Sequence, residues 1–404
     1  MVQTGDNMMA LKRGNRTAVL MALHSLGAMS RKRLAAHVHL TPAAITKIVA
    51  ELIGEGLVRE GASVPAASAG RREVRITLVP EARYGLGILI DRRAAILSAV
   101  RLDGTCVVSE QTEIAEDAPA EETVKALCRR LMELTADLPR ARLLGVGVAV
   151  RGVTDAAGRR SQNSMGALSA GELPVADWVE RETGLHAFMM NNVRALLAAQ
   201  LFLTRDTGVR GQYFLRCEYG IGAALTANGE LWLGGSNRCS EIGHIPVVHG
   251  GKLCSCGKRG CLETVASPMA LCADALELLS PEETPVLWKL MGGKRADAVP
   301  LELVLKAAAH GDTAIETLVE RAVTHLAQAL RSVIYIVDPD KTVLYGRVFE
   351  NPYFLSRLLA QMREGIDADR VIRVEKSPFN GTLEEIAAPL IAVSAFFRSG
   401  GMEA

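Results

Sequence analysis

The chain has 404 residues, 46 Lys and Arg against 45 Asp and Glu, 49% hydrophobic and only 4% aromatic residues, which is room for two or three domains with cores of Leu, Val, Ile and Ala. No apolar run approaches the roughly 20 residues of a membrane span, and the opening "MVQTGDNMMALKRGNRT" lacks the apolar segment of a secretory signal, so the expected location is the cytoplasm. The near-neutral total hides an uneven distribution: residues 1–80 hold eleven Lys or Arg and five Asp or Glu, a net +6, leaving −5 for residues 81–404. A basic first segment on a mildly acidic body points to a polyanion as its partner.

The first 80 residues carry strong local signals. "NRTAVLMALHSL" (15–26) places Val19, Leu20, Leu23 and Leu26 at helical spacing, and Gly27 stops the run. Ser30 opens "SRKRLAAHVHL", with Leu34, Ala35 and Val38 on one face. Thr41-Pro42 is an N-cap followed by proline in the first turn. The helix it opens, "PAAITKIVAELIGEG", turns Ile45, Ile48, Val49 and Leu52 inward before Gly54 and Gly56. "LVREG" and "GRREVRITLV" read as two strands around a small-residue loop.

Three helices and a two-stranded ribbon predict a winged helix-turn-helix, in which the start of the second motif helix meets base edges in the major groove. The residues so placed are Thr41, Ala43, Ala44, Thr46 and Lys47. Arg31, Lys32 and Arg33 are candidates for phosphates, and Arg71 and Arg72 for phosphate or the minor groove. The plain alternative is a three-helix domain with a solvated basic face. The cap, the glycine stops, the wing and the charge sign agree on DNA binding. Helix-turn-helix readers use paired half-sites, which predicts a homodimer or a dimer of dimers on a double-stranded DNA operator.

Beyond Pro80 the pattern becomes α/β. "YGLGILIDRRAAILSAVRLDGTCVVSEQTEI" reads as three strands, with Asp103-Gly104 as a hairpin turn. A helix over 121–136, the strands "LLGVGVAV" and "HAFMMNN", and the helix "VRALLAAQLFL" follow. A second strand cluster, "QYFLRCEYGIGAALTANGELWLGG", is followed by helix over 300–337, the strand "KTVLYG" and the closing helix "LEEIAAPLIAVSAFF". The two strand clusters suggest duplicated halves.

Cys106, Cys128, Cys217, Cys239 and Cys272 are scattered and read as small buried hydrophobes, whereas Cys254, Cys256 and Cys261 lie close together on glycine-rich backbone. With His244, ten residues before Cys254, they form the closed four-ligand shell of structural zinc; His249 is the alternative fourth ligand. Glu241 and Glu263 flank this knot, placed either to orient the metal shell or to accept hydrogen bonds from a polyol.

Residues 240–267 resemble the signature of the ROK family (repressors, open reading frames, kinases): "EIGH", then "CSCGKRGCLE". The basic segment ending in "GRR" is similar to that of the family's repressor branch. The resemblance implies a winged helix-turn-helix plus a two-lobed, actin-like (ribonuclease H-like) sugar kinase-type body. The reading domain would be residues 1–80. The first lobe would be 81–194, completed by 382–404, and the second lobe with the zinc knot 195–381. It further implies that His244, Cys254, Cys256 and Cys261 hold zinc and that Glu241, His244, Glu263, Asn191 and Asn192 face sugar hydroxyls, with Gly152 near the same pocket.

The departures from the family's kinases are also specific. Their Asn-Asp pair, whose Asp is the general base, is Asn191-Asn192 here, and an amide cannot take that proton. Their glycine-rich phosphate loop is "DRRAAI" after Asp91, their late glycine-rich turn is "LYGRVFE" with Arg347, Tyr219 replaces a small hydroxyl residue in "YGIGAAL", and Arg151 stands at a usual proline. The expectation is a sugar-responsive transcriptional repressor whose body is not an enzyme. The competing readings are an active ATP-dependent sugar kinase with a regulatory DNA-binding domain, and a zinc-sensing regulator. The effector is a sugar or sugar phosphate, with Arg151, Arg194 and Lys258 as candidates for a phosphate group. A protein partner for the body is a further alternative.

Overall fold

The computed structural model describes residues 4–64, 73–92, 94–115, 118–155, 157–162, 171–205, 208–364 and 373–402. The chain divides into two compact units, Met1–Arg205 with Gly381–Ala404, and Asp206–Asn380.

The first unit opens with α1 (Thr4–Leu26), β1 (Met29–Ser30), α2 (Arg31–His37), α3 (Pro42–Gly54), β2 (Val58–Val64) and β3 (Glu73–Leu78). The strands form a small antiparallel sheet in the order β1-β3-β2. Val19, Leu20, Leu23, Leu34, Ile45, Val49, Leu52, Leu57 and Ile76 make its core. Two expectations are corrected. Helix α1 begins at Thr4 rather than near residue 15; its added turns are polar apart from Met8, Met9 and Leu11, which are exposed, so they carried no amphipathic signal. Leu26, assigned to the apolar face by spacing, is 49% exposed, because it is the helix's last residue and Gly27 (φ 75°) turns the chain away.

The same unit continues through β4 (Tyr84–Ile90), β5 (Ala94–Arg101), β6 (Cys106–Glu113), α4 (Ala120–Leu134), β7 (Leu143–Val150), β8 (Val153–Thr154), β9 (Ser161–Gln162), α5 (Val175–Thr183), β10 (Ala187–Asn191) and α6 (Asn192–Thr204). Its main sheet has the order β10-β7-β4-β5-β6, with β4, β5 and β6 antiparallel and β7 and β10 added parallel. At the β5–β6 turn Gly104 has φ 84° and Asp103 Oδ1 accepts the Thr105 N–H at 3.0 Å, as a hairpin turn at Asp-Gly requires. Helices α4 and α5 cover one face through Val124, Leu127, Leu131, Val175 and Val179.

The second unit contains β11 (Gln212–Cys217), β12 (Ile221–Ala227), β13 (Glu230–Leu231), α7 (Glu263–Ala266), α8 (Pro268–Leu278), α9 (Pro285–Leu290), α10 (Leu301–Ala309), α11 (Thr313–Val337), β14 (Lys341–Tyr345), α12 (Pro352–Glu364) and β15 (Val374–Lys376). Its sheet order is β13-β12-β11-β14-β15, with the first three strands antiparallel and β14 and β15 added parallel. This repeats the connectivity of the first unit's sheet strand for strand, so the body is built from duplicated halves. Residues near 300–337 are helical as expected, in two segments parted at Gly311 (φ 82°).

The chain then returns to the first unit as α13 (Leu383–Arg398), which lies across β4, β5 and β7. The glycines of "YGLGILI" and "LLGVGVAV" make this approach possible. A Cβ on Gly87 would collide with Pro389, and one on Gly147 with the Ala388 carbonyl oxygen.

Candidate functional sites

Helix α3 begins as its sequence dictates. The Thr41 hydroxyl oxygen accepts the Ala44 N–H at 3.2 Å, and Pro42 occupies the first turn. Burial of Ile45, Ile48, Val49 and Leu52 turns the other face outward, where Thr41, Ala43, Thr46 and Lys47 are exposed and Ala44 is half-buried. The Thr46 hydroxyl donates to the Pro42 carbonyl at 2.8 Å, which fixes its rotamer. Lys32 and Arg33 are exposed. Arg31 is instead tied to the wing, donating to Glu60 at 2.8 Å. Arg71 and Arg72 lie outside the described residues.

In the second unit, His244, Cys254, Cys256 and Cys261 bring their ligand atoms within 4.8 Å of one another. The local backbone explains how. His244 ends a single 3-10 turn, with its N–H on the Glu241 carbonyl at 3.0 Å. The Gly260 carbonyl accepts the N–H groups of Val247 and Val248, and Gly260 (φ 69°) passes so close to the Val248 carbonyl that no side chain fits there. Cys254 Sγ lies 3.5 Å from His244 Nδ1, and Cys256 Sγ 3.6 Å from Cys261 Sγ. Tetrahedral zinc with Zn–S bonds of about 2.3 Å has S···S edges of roughly 3.8 Å, so the type and grouping of these donors fit a metal ion. His249 is exposed and outside the group, which leaves His244 as its histidine.

Two carboxylates adjoin the knot. Glu241 Oε2 is 3.8 Å from His244 Nε2, the nitrogen that faces away from the cysteines. Glu263 is 8% exposed, and its Oε2 accepts the Ile221 N–H at 3.0 Å, so it pins the β11–β12 turn to the residue pair after Cys261. Gly220 of that turn has no room for a side chain against the same oxygen. In this turn Tyr219 is 53% exposed, and Glu218 accepts the Arg347 N–H at 2.6 Å and its Nε–H at 3.1 Å. Arg347 and the turn that carries Tyr219, two of the positions read as departures, are therefore joined through Glu218, which the sequence reading did not single out.

In the first unit, residues Ile90, Val150 and Asn191 end three adjacent parallel strands in register. Ligands of open α/β sheets bind beyond such carboxyl ends. Here Asp91 and Arg151 stand in that position with Arg151 Nη1 3.6 Å from Asp91 Oδ1. Asn191 serves as the N-cap of α6: its Oδ1 accepts from Val193 and Arg194 at 3.0 and 3.2 Å, while its Nδ2 donates to the Gly152 carbonyl at 2.8 Å. Its carbonyl oxygen is thus occupied by the helix start, and one of its two amide hydrogens by Gly152. Asn192 is 3% exposed and accepts the Val193 N–H at 2.9 Å. Arg194 is buried and Lys258 exposed.

A winged-helix domain on a body of two like units, the second holding a Cys₃His knot, defines the class of winged-helix proteins built on a sugar kinase-type fold. Residues 86–375 match the ROK family and residues 15–63 match the MarR family. The chain belongs to the ROK family. It is 25% identical over 350 residues to the DNA-binding transcriptional dual regulator NagC of Escherichia coli (strain K12), covering 85% of this chain and 83% of that one. The crystal structure of a ROK family transcriptional regulator, a homologue of the E. coli Mlc protein, superimposes with a TM-score of 0.79 at 23% identity over 97% of this chain and 98% of that one. A ROK family glucokinase from Streptomyces griseus, in complex with glucose and AMPPNP, superimposes with a TM-score of 0.65 at 21% identity over 77% of this chain and 99% of that one. Among the described residues no helix is long and apolar enough to cross a membrane.

Proposed function

We propose that this protein is a sugar-responsive, DNA-binding transcriptional repressor of the cytoplasm whose kinase-like body binds its effector without phosphorylating it. The observation that carries the reading is the outward ridge of Thr41, Ala43, Thr46 and Lys47 on a capped α3, attached to a body with Asn192 where a kinase needs a carboxylate base. Likeness to NagC over 85% of the chain supports the regulatory role.

Zinc held by His244, Cys254, Cys256 and Cys261 is structural in this reading, because four protein ligands leave no position for water or substrate. Its chemistry is to crosslink the loop. The chain's own groups do the recognition: Glu241 and Glu263 accept hydrogen bonds from effector hydroxyls, with His244, Asn191 and Asn192 as further partners. Loss of the glycines after Asp91 and the bulk of Arg347 at a usual glycine oppose nucleotide binding, since phosphates need close backbone approach; Arg151 is held by Asp91 and Arg347 by Glu218. An effector that prefers one arrangement of the body shifts its population, and operator affinity changes with it. The repressor acts as a homodimer on paired half-sites, with Arg71 and Arg72 contributing phosphate or minor-groove contacts.

The test is selection of binding sites from random duplex DNA, with a parallel assay of ADP formation from ATP and Mg²⁺ over a panel of hexoses, N-acetylhexosamines and their phosphates. Recovery of a two-half-site motif with no turnover is expected. Turnover abolished by Glu241→Gln, with no motif recovered, would contradict the reading.

A further inference from the structure

A regulator of this design needs a mechanical joint between its body and its reading helix. Arg16 of α1 occupies such a place. It is 1% exposed, and its guanidinium divides its donors between two elements far apart in the chain. Nε donates to the Gly400 carbonyl, just beyond α13, at 2.7 Å. Nη1 and Nη2 donate in a fork to the Glu55 carboxylate at 3.0 and 2.5 Å, and Nη1 also reaches Glu51 at 3.3 Å. Glu51 lies in the last turn of α3 and Glu55 is its C-cap. Arginine suits this task because its planar fork meets a carboxylate with two donors and keeps a third for the carbonyl.

The surroundings leave little play. The Thr17 hydroxyl donates to the Phe397 carbonyl at 2.9 Å, and His24 Nε2 lies 3.1 Å from the Phe202 carbonyl on α6. Gly400 (φ 73°) and Gly401 (φ 76°) carry the tail past α1; a Cβ on Gly400 would sit 2.9 Å from the Arg13 carbonyl oxygen, and one on Gly401 2.9 Å from Leu57. Helix α13 is itself seated on the sheet by Gly87 and Gly147. Packed contacts therefore run without a break from the sheet through α13, Gly400 and Arg16 to the C-terminal end of α3.

We propose that Arg16 is a positioning residue for DNA readout, holding α3 at a fixed angle to the body by clamping the end opposite Thr41–Lys47. The 13 residues of α3 span about 20 Å, so a tilt of ~10° at the clamp moves the reading end by roughly 3 Å, more than base-edge hydrogen bonds tolerate. The proposal rests on the DNA-reading role given above.

The test uses the full chain with Arg16→Gln, Arg16→Lys and Gly400→Ala. The last keeps every charge and strains only the clasp. Affinities for the operator and for a scrambled duplex are measured at one salt concentration, together with amide hydrogen exchange over α3. In Arg16→Gln and Gly400→Ala, operator affinity is expected to fall about tenfold with scrambled-duplex affinity within about twofold of wild type, because the phosphate contacts that dominate non-specific binding are untouched. Arg16→Lys recovers part of the loss. Amides at the C-terminal end of α3 exchange about tenfold faster in the two weakened variants. Unchanged operator affinity in both, or equal losses on both duplexes, would overturn the proposal. If wild type selects no operator, the regulatory reading fails by itself; exchange over α3 then decides the clasp, and unchanged exchange rejects it.

Discussion

Lys47 and Ala43 lie four residues apart, one turn of α3, and form an exposed ridge beside Thr46. Lys47→Ala should weaken operator binding about tenfold while leaving scrambled duplex nearly unaffected; equal loss on both would reassign Lys47 to phosphate. At the knot, Cys254→Ser should release the metal and lower the thermal transition, read by metal content and calorimetry, since a structural metal site contributes its binding free energy to folding. A variant that keeps stoichiometric zinc would show that the remaining three ligands suffice. The grouping of His244 with the three cysteines was legible because thiolates, an imidazole and glycines leave few other purposes at that spacing. Glu263's bond to Ile221 and Arg16's bonds to Gly400 and Glu55 were not, because they join residues 42, 384 and 39 positions apart. Asn191, assigned from the resemblance to face a sugar, also caps α6, a local role that Asn at a strand-to-helix junction could have signalled.

Among the elements, α3 and the hairpin at Asp103-Gly104 were legible because their stop and start signals are local. The polar turns of α1 were not, since they bury no stripe. Helices α5, α8, α9 and α12 escaped the sequence reading as well, although α12 carries a helical stripe of Phe354, Leu358 and Met362. The strands β4 and β7 carry glycines that weaken them as strands but admit α13. Gly87→Ala should therefore destabilise the first unit by about 1–3 kcal/mol or prevent its folding, through overpacking against Pro389. Thermal unfolding checks this: a variant as stable as wild type would mean that α13 can move away from the sheet at little cost.

For the protein entire, the α/β class and the sense of duplicated strand clusters came from pattern, while the ROK resemblance supplied the two-lobed fold; the identity of the two sheet orders emerged only once the parallel strands β7, β10, β14 and β15 were placed. Pairing partners of parallel strands are remote in sequence, so no local pattern reports them. The same architecture separates two tasks. In the proposed reading a basic domain meets DNA, and a body of kinase-like fold binds an effector with Asn192 in place of a base. The account turns on one measurement: the operator affinity of the purified, zinc-loaded protein titrated with sugars and sugar phosphates in the absence of ATP. It predicts that at least one weakens operator binding by about tenfold or more, an effect removed by Glu241→Gln. Operator affinity unchanged across the whole panel, or a response that appears only when ATP is consumed, would contradict it.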